Sequence, residues 1–297
     1  MSFPTNRNFT EQRSGVSLLP TFLIIGAMKA GSSSLYEYLR IHPEIFMPDM
    51  KEPDYFSKRA RRGVGLEWYS RLFEGADGAR AIGEASTDYT KFPTYSEVPA
   101  RIAQVLPTTQ LIYVVRHPIE RMRSQYVHEV ATGKQTLPIE EALLSDSRYL
   151  DYSRYELQIQ QYLPHFGREQ ILIITSENLR SVRSATVYRV LEFLGLSPDW
   201  WSPILESEFH QSASKRRPHA LNKILKPVRR LPTYRAVASR APTFVKSLNR
   251  RIMTYSIDPR TAAIPDALRR HLELLVRDDV RALCRRLGDD FDGWGLT

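Results

Sequence analysis

The sequence predicts an α/β fold in three layers, with a central parallel sheet flanked by helices. Two observations carry this. Short apolar runs of strand type alternate with longer stretches of helical spacing, the pattern of a parallel sheet covered on both faces. Between the first such run and the first helical stretch, Gly26 and Gly31 keep the G-x-x-x-x-G spacing of a phosphate-binding loop, so the fold is P-loop-like.

The elements follow in order. Thr21–Ile25 reads as a buried strand, and a helix is expected from Ser32 to Ile41. A short strand over Arg80–Gly83 precedes a Ser/Thr/Asp turn that begins at Glu84. Ser96–Leu106 has helical spacing, with Val98, Ile102 and Val105 on one face. Gln110–Val115 (QLIYVV) is a strand of the fully buried type, and Pro118 opens the next helix, where proline is tolerated at the first position. Tyr152–Phe166 is expected as an amphipathic helix and Ile171–Thr175 as a strand. Ala185–Leu194 is expected as a helix closed by Gly195. No repeat or low-complexity tract interrupts them, and residues 1–297 read as one domain. It has an N-terminal extension over 1–20, a basic, largely helical region over 210–257 and a C-terminal helix within 258–297.

Composition narrows the function classes. The chain has 297 residues, 42% hydrophobic and 25% charged, as in an ordinary globular protein. No apolar run approaches the ~18 residues of a membrane span. The N-terminal stretch MSFPTNRNFTEQRSG lacks the apolar core of a secretory signal, so Asn8-Phe9-Thr10 reads as a chance glycosylation triplet. One cysteine, Cys284, can form no internal disulfide, which fits a reducing cytoplasm. The net charge is +9, and its excess is local. His210–Ile257 holds twelve Lys/Arg and no Asp/Glu, leaving 30 basic against 33 acidic residues elsewhere. That run is either a solvated face or a footprint for an anionic surface, polymer or ligand. It has few aromatics interleaved for stacking bases, which argues against nucleic acid. Peripheral contact with an anionic membrane stays open.

Ligands of such a sheet sit beyond the carboxyl ends of its strands. After the first strand comes AMKAGSSS, where loop N–H groups and a helix N-terminus favour an oxyanion. Lys29 adds a positive charge there, and Ser32, Ser33 and Ser34 add hydroxyl donors. A Walker A loop would place its lysine after the second glycine, where Ser32 stands. Glu84 puts a carboxylate after the short second strand. Beyond QLIYVV, Arg116 and Ser124 could grip a second phosphate. A kinase or other NTPase is the rival reading, as is a protein that binds anionic polymers or surfaces. ATP–Mg²⁺ binding and salt-dependent binding to DNA or vesicles discriminate them.

Taken together these motifs resemble the PAPS-dependent sulfotransferases, in the branch of the heparan sulfate sulfotransferases and their bacterial relatives. Lys29-Ala30-Gly31-Ser32-Ser33-Ser34-Leu35 resembles that family's 5′-phosphosulfate loop, and Arg116 with Ser124 its 3′-phosphate motif. Lys51-Glu52-Pro53-Asp54-Tyr55-Phe56 is similar to its K-E-P-H-F-F block, and Gly83-Glu84-Ala85-Ser86 to the segment that carries its catalytic glutamate. Ser214-Lys215-Arg216-Arg217-Pro218-His219 resembles the loop that closes over the nucleotide. Tyr155 ahead of Gln161-Tyr162-Leu163, the EFLGL of Glu192–Leu196 and a closing helix ending near Trp294 complete the likeness. Asp54, Arg216 and His117 depart from it, standing where the family has an aromatic or histidine, a glycine and an aspartate. The resemblance implies PAPS as co-substrate with no metal, and PAP as product. It implies Lys29, Glu84 and Lys51 as catalytic residues, with Glu84 as the base. Ala30, Gly31, Ser32, Ser33, Ser34, Arg116, Ser124, Tyr155, Lys215, Arg216 and Arg217 would join Lys29 on the nucleotide. The acceptor is a small molecule or glycan whose class stays open among sugar hydroxyl, lipid, polyketide and amine.

Overall fold

The computed structural model describes residues 18–206, 216–218, 254–256, 262–288 and 291–297. Its centre is a five-stranded sheet of β1 (Phe22–Gly26), β2 (Ile45–Phe46), β3 (Ala81–Ala85), β4 (Gln110–Val115) and β5 (Ile171–Thr175). The strand order is β2-β3-β1-β4-β5, and every neighbouring pair is parallel. All five residues of β1 and all five of β3 are buried. Since successive side chains of a strand point to opposite faces, both faces of the sheet are covered.

The covering helices are α1 (Ser32–Leu39), α2 (Leu66–Ser70), α3 (Val98–Val105), α4 (Pro118–Ala131) and α5 (Ile139–Ser145). They continue with α6 (Arg148–Asp151), α7 (Tyr155–Gln160), α8 (Ser176–Ser181), α9 (Arg183–Phe193) and α10 (Asp266–Leu287). One apolar core surrounds the strands, and a second joins α4 and α5 to α10 through Ile119, Met122, Leu143, Leu272 and Val276. Among the described residues no helix is long and apolar enough to cross a membrane.

Several elements differ from the sequence expectation, each for a tertiary reason. β3 runs on to Ala85 because Glu84 and Ala85 pair with Leu23 and Ile24 of β1. Glu84 is therefore inside a strand, not in the turn after it. The helix expected over Tyr152–Phe166 is shorter at both ends, with α7 ending at Gln160 and starting only at Tyr155. There the carboxylate of Asp279 on α10 accepts the backbone N–H groups of Glu156 and Leu157, at 3.1 and 2.8 Å, supplying from a distant helix the acceptor that an N-cap side chain normally provides. The closing helix stops at Leu287, where Gly288 takes a φ of 84°, and Trp294 sits in a separate 3₁₀ turn. Of the basic region, Arg216–Pro218 (β6) and Thr254–Ser256 (β7) form an antiparallel ribbon beside α4. Lys215 and most of 210–257 lie outside the described residues, as does Asn8-Phe9-Thr10.

Gly83 shows how tightly β3 and β1 fit. It pairs with Phe22, and a Cβ on it would lie 2.1 Å from that ring. Gly83→Ala is therefore expected to lower the unfolding free energy by about 1–3 kcal/mol or more through overpacking. Phe22→Leu in the same chain should return part of it in a urea titration. An unchanged midpoint for Gly83→Ala would refute this packing account.

Candidate active site

The carboxyl ends of β1, β3, β4 and β5 open into one cleft of about 660 Å³. From the loop after β1 it takes Met28, Lys29, Gly31 and the three serines 32–34. The backbone of this loop is unusual. Lys29 has a φ of 72° and Gly31 a φ of 106°, both in the left-handed region, which costs a lysine and is free for a glycine. The lysine is held there from behind: Arg116 Nη1 donates to its carbonyl at 3.3 Å, and Arg121 Nη1 donates to the carbonyl of Met28 at 3.4 Å. The loop's carbonyls thus turn inward, and the first N–H groups of α1, which have no acceptor within the helix, start at the cleft.

Arg116 and Ser124 line the same cleft, and His128 follows Ser124 by one turn on α4. The two stretches expected to hold phosphate, the loop after β1 and the residues after β4, therefore share one cavity. Lys134, Arg180 and Arg183 extend the positive lining on that side. The opposite end, after β3, is lined by Glu52, Lys58, Thr87, Asp88 and Lys91.

Other expected residues lie off the cleft. Ala30 is fully buried, and its N–H closes the loop on the carbonyl of Ala27 at 3.1 Å. Tyr155 is also fully buried, and its hydroxyl donates to the carbonyl of Arg116 at 2.6 Å, so it reaches the grip only through that arginine. Lys51 pairs with Glu52 at 3.0 Å and is not among the lining side chains. His117 is packed against Trp294, away from the lining, and burial lowers its imidazole pKa. Arg216 and Arg217 have described backbone in β6 only.

Glu84 is fully buried and off the lining as well. Tyr89 and Tyr69 donate to its Oε1 at 2.6 and 3.1 Å, and Ser86 donates to its Oε2 at 2.8 Å. Burial pushes its pKa up to about 7, against the pull of these three hydroxyls. The carboxylate lies three residues before Thr87, which lines the cleft.

The sequence reading missed Asp88, Lys91, Arg180 and Arg183. A usable signal existed, because they follow the ends of β3 and β5, where the carboxyl-end rule points. It also missed Arg121. This guanidinium is fully buried and donates to Ser153 Oγ at 2.6 Å, Gln125 Oε1 at 2.9 Å and the Tyr149 carbonyl at 2.8 Å. Its counter-charge is one step away: Gln125 and Tyr149 both donate to the carboxylate of Glu129.

The sulfotransferase domain family matches residues 19–226, most of the described fold. The chain belongs to the sulfotransferase domain family. It is 31% identical over 231 residues to the Homo sapiens heparan sulfate glucosamine 3-O-sulfotransferase 3B1, across 71% of this chain and 56% of that one. With the Homo sapiens heparan sulfate glucosamine 3-O-sulfotransferase 6 it shares 30% over 285 residues, across 93% of this chain and 74% of that one. The chain spans about half the length of its 3A1 and 3B1 relatives. Among solved structures, a sulfotransferase from Alicyclobacillus acidocaldarius aligns with a TM-score of 0.58 at 28% identity. The match covers 76% of this chain and 98% of that one.

The tie from Tyr155 to Arg116 is separable from the cleft's own contacts. Tyr155→Phe removes one buried hydrogen bond and leaves the carbonyl of Arg116 without that donor. Stability should fall by about 1 kcal/mol in chemical denaturation. A variant as stable as the parent would show that the bond contributes nothing.

Proposed function

We propose that the chain transfers the sulfuryl group of PAPS to a hydroxyl of a glycan or other small acceptor and releases PAP. One observation carries the reading: the loop after β1 and the Arg116–Ser124 pair line a single cleft, two anion grips for a nucleotide with two separate anionic groups. The residues fit such a ligand. A left-handed glycine opens the loop, serine hydroxyls surround it, and among the described residues no carboxylate lines that end. Family membership and the glycan in the relatives' names support the acceptor class. Among the described residues no group of three or more His/Cys/Asp/Glu is placed to hold a metal ion.

PAPS supplies an activated sulfuryl group and a nucleotide leaving group. Lys29, with the N-terminal N–H groups of α1 and Ser32–Ser34, would neutralise the charge that grows on the leaving oxygen. Such preorganised stabilisation is typically worth a few kcal/mol per donor. Arg116 and Ser124 would hold the 3′-phosphate. Lys51 would act at the sulfuryl group or acceptor only from behind Glu52, and Lys215 with Arg216 and Arg217 would complete the nucleotide site. We assign the acceptor's proton to Glu84, because a carboxyl with a pKa near 7 is matched to a base working near neutrality. Cytoplasm is our reading of where this chemistry runs, from the lone cysteine.

Calorimetry should show micromolar PAP binding with no divalent metal present. Arg116→Ala should weaken it more than tenfold, or about 1.4 kcal/mol. Tighter binding of ATP–Mg²⁺ than of PAP would overturn the reading, and parent-like PAP affinity in Arg116→Ala would overturn the 3′-phosphate assignment.

The base assignment has its own test. Burial raises the Glu84 pKa, so the carboxylate form that accepts a proton is lost below about 7, and the parent's rate should climb with pH through that value. Glu84→Gln should remove this acid limb and lower kcat by ~10²- to 10⁴-fold, with PAP affinity nearly intact. If the limb survives in Glu84→Gln and disappears in Glu52→Gln or Asp88→Asn, a carboxylate of the cleft lining is the base instead.

A further inference from the structure

The two ends of the cleft differ in how their cations are used. At the nucleotide end no lining residue, among the described residues, is a carboxylate. At the opposite end each lysine already has one. Lys58 donates to Asp54 at 2.9 Å and also pairs with Asp88. Lys91 pairs with Asp88 as well, and Lys51, behind the lining, pairs with Glu52. Thr87 donates to the same Glu52 carboxylate at 3.2 Å. Both lysines of the lining are further fixed by rings, Lys58 at 6.0 Å from the centre of Tyr95 and Lys91 at 5.8 Å from that of Tyr152. Burial alone would raise the Asp88 pKa, but the two lysines hold it below the usual carboxylate range. Asp54 stands on a left-handed backbone with a φ of 53°, a conformation that aspartate tolerates better than most residues.

This wall thus carries Glu52, Asp54 and Asp88 against Lys51, Lys58 and Lys91, a formal charge of zero with every ammonium engaged. An anionic group set against it would meet the carboxylates of Glu52 and Asp88 and, among the described residues of the wall, only lysines already paired with a carboxylate, and like charges in a partly dry site are a strong basis for rejection. We infer that the acceptor unit seated on this wall is uncharged: a polyhydroxyl unit with no sulfate or carboxylate beside the reacting hydroxyl. The inference rests on the sulfuryl-transfer reading and departs from the polyanion in the relatives' names.

The test uses the full chain with PAPS and three oligosaccharides of equal length: one of N-acetylglucosamine, its N-deacetylated cationic form, and one of heparan sulfate. The expected kcat/KM is at least tenfold higher for the uncharged oligosaccharide than for heparan sulfate. Its KM should not move between low and physiological salt. Asp88→Asn, which releases Lys58 and Lys91 from a shared carboxylate, should shrink that ratio severalfold. Preference for heparan sulfate with a salt-sensitive KM, preference for the cationic form, or no turnover of the uncharged form while PAP still binds would each overturn the inference. Should Asp88→Asn fail to fold, the ratio and the salt dependence of the parent decide the matter. Loss of PAP binding in the parent would fail the sulfotransferase reading itself.

Discussion

Two guanidinium groups hold the turn between β1 and α1 from behind, Arg116 on the carbonyl of Lys29 and Arg121 on that of Met28. A chain that bends from strand to helix with a left-handed lysine must still satisfy those carbonyls, and the two arginines do so. Much else in the structure serves these contacts. Arg121 is buried without a carboxylate touching it, which is tolerable because Ser153, Gln125 and the Tyr149 carbonyl take its remaining protons and Glu129 supplies the balancing charge through two of them. Arg116 is steadied through its own carbonyl by Tyr155. Tyr155 opens α7, whose first N–H groups end on Asp279 of α10, and Arg286 grips Glu156 beside it.

A second network lies on the other side of β1. Glu84 is enclosed by hydroxyls from Tyr69, Tyr89 and Ser86, and those rings belong to an aromatic cluster with Tyr55 and Phe56. Ser86 also accepts the N–H of Asp54 at 3.0 Å, which couples the buried carboxylate to the loop that carries Lys58. The proposed base and the proposed acceptor wall are therefore joined by a few short hydrogen bonds. The proposed nucleotide grips are joined to the far helices instead. Sulfuryl donor and acceptor would meet over β1, where the two supports come together.

Much of this was legible in the chain, and what was not has a common cause. β1, β4 and β5 are continuous apolar runs because both their faces are buried, and α1 and α4 are marked by Gly31 and Pro118. The loop, Arg116 and Ser124 were legible as chemistry for the same local reason. β2 has two residues on a sheet edge, too few for any period to show. The extra length of β3 comes from pairing with β1, and with it the burial of Glu84. Lys51 stands next to the residue that reaches the cleft, so one step along the chain separated the expected side chain from Glu52. Asp88, Lys91, Arg180 and Arg183 belong to no spacing pattern, and only the parallel sheet brings them to one rim.

The capping of α7 also bears on the order in which the molecule can be built. Glu156 and the Asp279 that receives its N–H stand 123 positions apart. A nascent chain that has released all five strands can pair them into a sheet while Asp279, Arg286 and Trp294 are still unsynthesised. At that moment the first turn of α7 lacks its acceptor, and Tyr155 lacks the Trp294 ring that packs 6.0 Å from it. Because contacts so distant in sequence must wait for loop closure before they contribute, the support that reaches Arg116 through α7 can be completed only after α10 has been made, whereas the strands of the sheet need nothing beyond β5 to pair.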